Sequence, residues 1–146
     1  FELGYKYDST DFQAALLIGQ LKRIKESHKK RNQIFARYRA AFKENINISF
    51  QDIKVPHVHA CHLFVIWVPR DSRDEIRRKI SEGGVETSIH YPPIHLEPYY
   101  REKFGYREGD FPVAEKLGAS AIVLPTYPSL SRVEQDYIID LVLKSV

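Results

Sequence analysis

The stretch Val85–Tyr106, VETSIHYPPIHLEPYYREKFGY, constrains this chain more than any other. Pro92 and Pro93 each fix φ and remove a backbone donor, and a residue ahead of a proline is pushed out of helical geometry. The expected local structure is a strand over Val85–His90 that carries His90 and Tyr91 to its end. A stiff extended elbow then presents His95. Two imidazoles and a phenol on a rigid loop at a strand end suit a binding surface. The same rings suit a proline-rich connection packed on a neighbouring helix, and local sequence does not separate the two.

A chain of 146 residues fits one domain with a real core. The net charge of +3 is mild, and nucleic-acid binding normally needs a concentrated basic face. Lys22, Arg23, Lys25, Lys29, Lys30 and Arg31 form a basic run whose simplest reading is a solvated helix face. A single cysteine, Cys61, excludes an internal disulfide and a cysteine-based zinc cluster, which points to a reducing compartment and a cytoplasmic protein. No apolar run reaches the roughly 20 residues a membrane helix needs. No signal peptide is visible. The chain opens on Phe1 and contains no methionine, which suggests a piece of a longer protein.

Periodicity supplies the elements. Thr10 and Gln13 fit a capping box ahead of an apolar stripe through Phe12, Leu16, Leu17, Leu21 and Ile24. A second helical pattern runs through Ile34, Phe35, Tyr38, Ala41 and Phe42; the intervening KESHKKR is a bend or part of one long helix. Residues 46–57 read as loop with room for one short strand. Leu63–Val68 is a continuous apolar run that predicts a strand buried on both faces. A capping box at Ser72 and Glu75 opens the next helix, and Gly83–Gly84 closes it. Helices are expected over Pro98–Phe104 and from Pro112 to about Leu117 or Gly118, with a buried strand at Ala121–Leu124. A third capping box, Ser131 and Glu134, opens a final helix with Val133, Tyr137, Ile138, Leu141 and Val142 inward. The order gives an α/β or α+β unit.

His57-x-His59-x-x-His62 is the most suggestive metal pattern. On an extended chain His57 and His59 share a face while His62 points away, and the spacing matches neither a helix-borne zinc pair nor a finger. Cys61 leads into an apolar run and reads as an inert core thiol. No nucleophile elbow, Walker loop or dinucleotide fingerprint is present, so no self-contained catalytic apparatus is expected.

Five stretches, in order, resemble the C-terminal part of the DegT/DnrJ/EryC1/StrS sugar aminotransferases, which have the aspartate-aminotransferase fold. They are GYKYDSTDFQAALLIGQLKRI, KKRNQIFARY, HACHLFVIWVP, RDEIRRKISEGGVETSIHYPPIHLEPYY and FPVAEKLGASAIVLPTYPSLSRVEQDYII. The resemblance implies pyridoxal phosphate in the full-length enzyme, with the lysine that bonds it in a large domain before Phe1. It implies a helical segment over residues 1–45 leading to that domain, and a small C-terminal domain over 46–146. It implies a homodimer acting on glutamate and a nucleotide-linked keto-sugar.

Carried over residue by residue, the resemblance gives Lys6 a place near the cofactor phosphate, where an ammonium fits well. Asp8 stands where many members have Arg or Asn, so it turns away or alters that contact. His90, Tyr91 and His95 match the family's HYP-x-x-H loop near the sugar nucleotide. His95 is expected to serve substrate rather than stability, so that its loss leaves the melting temperature unchanged. No residue here is expected to be catalytic. The alternatives are a catalytically silent binding or regulatory relative and a histidine-dependent metal-binding domain.

Overall fold

A computed structural model describes residues 8–54 and 56–146. The two helical patterns at the N-terminus are one helix, α1 (Asp11–Phe42), entered through a complete Thr10–Gln13 capping box. KESHKKR holds no proline or glycine, so nothing breaks the ladder there. Strand β1 (Ser49–Phe50) follows, then β2 (Phe64–Trp67), α2 (Arg73–Glu82), α3 (Pro98–Phe104), α4 (Pro112–Ser120), β3 (Ala121–Leu124) and α5 (Arg132–Ser145). The strands lie in the order β1-β2-β3, all antiparallel, with Phe64 opposite Leu124 and Trp67 opposite Ala121. This is an α+β arrangement with helices packed around a short sheet.

The two halves of α1 differ sharply. Ile34, Phe35, Tyr38 and Phe42 are buried in the common core with Phe64, Ile66, Ile122, Ile138 and Val142. The Tyr38 hydroxyl donates to the Pro125 carbonyl at 3.0 Å, and burial pushes its pKa up. The first four turns instead expose Phe12, Leu16, Leu17, Leu21 and Ile24, with Phe12 74% accessible. Their apolar stripe stays more than half exposed among the described residues.

Four expectations need correction. Val85–His90 is not a strand: pairing to β3 is confined to the Ser88–Val123 bridge. Next in register Glu86 would face Pro125, which has no amide to donate, so the ladder stops, and the outward Thr87 carbonyl and hydroxyl accept from Arg77 of α2. Ser72 makes no side-chain cap, because it lies in a helical conformation within a 3-10 turn, and Glu75 pairs with Arg78 instead. On α5, Val133 and Tyr137 are exposed, while Gln135 is buried and donates to the Ile34 carbonyl at 2.8 Å. β2 is also buried on one face only: Phe64 and Ile66 point inward, while Val65 and Trp67 are half-buried.

The other capping boxes form as read. At α5 the Ser131 hydroxyl accepts from the Glu134 amide at 3.2 Å, and the Glu134 carboxylate returns to the Ser131 amide at 2.8 Å. Ser131→Ala is therefore expected to cost about 1 kcal/mol in chemical denaturation. A variant indistinguishable from the parent would show that α5 is held by packing alone.

Candidate functional site

The elbow lines a surface groove of about 720 Å³, but it follows a single bridge rather than a strand and passes into a 3-10 turn that buries His95 rather than presenting it. Its floor comes from the outer face of β2 through Val65 and Trp67, and its rims from Tyr91, Tyr100, Phe104 and Phe111. The aromatic rim is continuous: Tyr100 stacks on Phe104, Phe104 meets Tyr106, and Tyr106 meets Phe111 edge-on with centroids 5.5 Å apart. α3 ends at Gly105, whose φ of 74° is the left-handed value that lets the chain turn back toward this rim.

The three sequence-predicted residues have different surroundings. Tyr91 is 71% exposed at the mouth of the groove. His90 is half-buried and meets Tyr91 edge-on at 4.7 Å, and its Nδ1 lies 2.9 Å from the Ser88 hydroxyl. His95 is buried in a 3-10 turn, with Nε2 2.9 Å from Glu115 and its ring 4.7 Å from Phe111. A buried, hydrogen-bonded ring contributes to stability, so losing His95 is expected to lower the melting temperature rather than leave it nearly unchanged. Lys6 lies outside the described residues.

Glu115 is the residue sequence reading missed. It accepts from His95, from the Gly109 amide at 3.0 Å and from the Phe111 amide at 3.1 Å. One carboxylate thus ties the elbow to the loop after α3. Burial alone would raise its pKa, but the Gly109 and Phe111 amides, with His95, hold it below the usual 4.5. Pro112 in the first turn of α4 and an acid shortly after it were a visible signal, since a helix N-terminus favours negative charge. What the sequence did not reveal was the loop that supplies the donors.

The sign of the pH effect follows. A carboxylate with a lowered folded pKa stabilises the native state above its unfolded value and loses that contribution as pH falls through the folded value. The Gly109 and Phe111 amide resonances are expected to shift together, with a midpoint below 4.5. Independent shifts, or a midpoint at or above that value, would show that Glu115 does not hold the loop.

The histidine triplet is dispersed. His57 and His62 are exposed, while His59 Nδ1 accepts from the Cys61 amide at 3.0 Å and its ring lies against Phe35. No group of three or more His, Cys, Asp or Glu among the described residues is arranged to hold a metal ion. The Cys61 thiol is buried and its pKa raised by burial, as a core thiol requires. Every described lysine is exposed. No described helix is long and apolar enough to cross a membrane.

The profile of the DegT/DnrJ/EryC1/StrS aminotransferase family matches residues 2–143. The chain belongs to that family. The spore coat polysaccharide biosynthesis protein SpsC of Bacillus subtilis is 36% identical over 144 residues, covering 95% of this chain and 37% of SpsC. Among solved structures, DesV of S. venezuelae superposes with a TM-score of 0.86 at 27% identity, covering 99% of this chain and 40% of DesV. The PLP form of Spr1654 from Streptococcus pneumoniae, named as a sugar aminotransferase, gives 0.86 at 27% identity over 95% of this chain and 37% of that one. This DegT/DnrJ/EryC1/StrS chain thus spans about 37% of the length of its curated relative.

Proposed function

We propose that this chain is the C-terminal part of a cytoplasmic, homodimeric aminotransferase that moves an amino group from glutamate to a nucleotide-linked keto-sugar. The supporting observation is the aromatic groove with His90 and Tyr91 at its mouth, in a chain of a sugar-aminotransferase family. SpsC and Spr1654, by their names, belong to polysaccharide and sugar chemistry. Residues 46–146 form the small domain, and residues 1–45 link it to the rest of the enzyme, with the last turns of α1 anchored in the small-domain core. Pyridoxal phosphate supplies the electron chemistry in the whole enzyme and is bonded outside the described residues.

His90, Tyr91 and His95 serve the sugar nucleotide, and Lys6 serves the cofactor phosphate. The Tyr91 hydroxyl and the His90 ring offer donors to hydroxyl or diphosphate oxygens. His90 is oriented by Ser88. The aromatic rim gives flat apolar faces on which a sugar or base ring packs while water is excluded. His95 completes the wall from behind, tied to Glu115.

The test is product analysis by the full-length protein with glutamate and a panel of keto-sugar nucleotides. Formation of 2-oxoglutarate and the amino-sugar nucleotide in equal amounts supports the reading. Binding of sugar nucleotide without any amino transfer would overturn it in favour of a silent relative.

A further inference from the structure

Helix α4 grips the elbow at two residues three positions apart. Glu115 holds it through His95, as described. Gly118, on the same face, lets the helix touch it. A Cβ at Gly118 would lie 2.9 Å from Cδ and 3.1 Å from Cγ of Pro93, and 3.3 Å from the Tyr91 carbonyl oxygen. A pyrrolidine ring cannot swing aside as the end of a flexible side chain can. The Gly118 φ is not positive, so its backbone conformation does not require glycine. Glycine inside a helix is unfavourable relative to alanine, and close approach is what the missing side chain provides here.

We propose that Gly118 and Glu115 are positioning residues that set where His90 and Tyr91 stand over the groove, an inference that rests on reading that groove as the sugar-nucleotide site. His90 and Tyr91 are then fixed from two sides. Ser88, bridged to β3, orients the His90 ring. α4 sets the depth of the Tyr91 backbone at Gly118, where only the missing side chain leaves room for the Tyr91 carbonyl and the Pro93 ring. Filling Gly118 pushes the Pro93 ring, and with it Tyr91, away from the helix. Breaking the Glu115 contact frees the other end of the same elbow. Displacing a binding group by about an ångström is enough to lose much of its contribution.

The experiment uses the full-length enzyme, with UDP and dTDP as calorimetric probes and the glutamate half-reaction as a separate readout. Gly118→Ala is expected to weaken nucleotide binding on the order of tenfold, with the glutamate half-reaction within about twofold of the parent. Pro93→Ala in the Gly118→Ala background removes the opposing ring atoms and is expected to restore most of the loss, measured against Pro93→Ala alone. Glu115→Gln keeps the side-chain shape, and a loss of nucleotide affinity in the same direction is expected, which keeps the test decisive if Gly118→Ala does not fold. Unchanged affinity in Gly118→Ala or Glu115→Gln, or a double variant no better than Gly118→Ala, would overturn the positioning role. A parent that binds neither nucleotide, or a His90→Ala variant that binds as the parent does, would instead overturn the sugar-nucleotide reading itself.

Discussion

Phe64→Ala is expected to destabilise the fold by about 3–5 kcal/mol, the usual cost of emptying an aromatic site in a core. Phe64 is buried at 3% exposure and is the ring at which α1 meets the sheet. Its centroid lies 4.9 Å from Tyr38, 5.1 Å from Phe35 and 5.9 Å from Phe50, so its loss leaves rings from both elements facing a cavity. The melting temperature should fall by roughly 10 °C or more. Phe12→Ala removes the same kind of side chain from an exposed turn of α1, and a change within about 0.5 kcal/mol is expected. Similar losses at the two positions would contradict the division of α1 into an anchored half and an exposed half.

That division also shows what the sequence could and could not reveal. Both apolar stripes of α1 were legible from helical spacing. The expectation of a large domain ahead of this segment implied that Phe12 and Leu16, with Phe1, stay uncovered; Phe12 and Leu16 are exposed, and Phe1 lies outside the described residues. β3 was legible because Ala121–Leu124 is a short apolar run closed by Pro125, and all four residues are buried. Val85–His90 looked like a strand on local composition, yet its pairing is confined to Ser88, because the partner run closes at Pro125, which has no amide to donate.

The site divided in the same way. The two prolines made the elbow predictable, and the structure has Tyr91 exposed on it. The burial of His95 depends on Glu115, twenty residues along, and no spacing rule connects them. Trp67 forms the groove floor because β2 is covered on one face only, whereas its apolar run suggested burial on both. Long-range hydrogen bonds and the uncovered face of a short sheet are the parts that sequence periodicity does not encode.

His90→Ala in the full-length enzyme is expected to separate the two halves of the reaction. Loss of one hydrogen bond to a charged diphosphate should cost roughly 1.5–3 kcal/mol. That is on the order of tenfold to a hundredfold in kcat/KM for the sugar nucleotide. On the proposed function the glutamate half-reaction does not draw on this groove, so it should stay close to the parent's. His90 is half-buried on an elbow outside the core cluster, so the melting temperature should move little. The most direct measurement is single-turnover kinetics of the two half-reactions, side by side, for the parent and His90→Ala. A selective loss with the sugar nucleotide is the expected result. An equal loss in both half-reactions, or no loss in either, would contradict the assignment of the elbow to substrate.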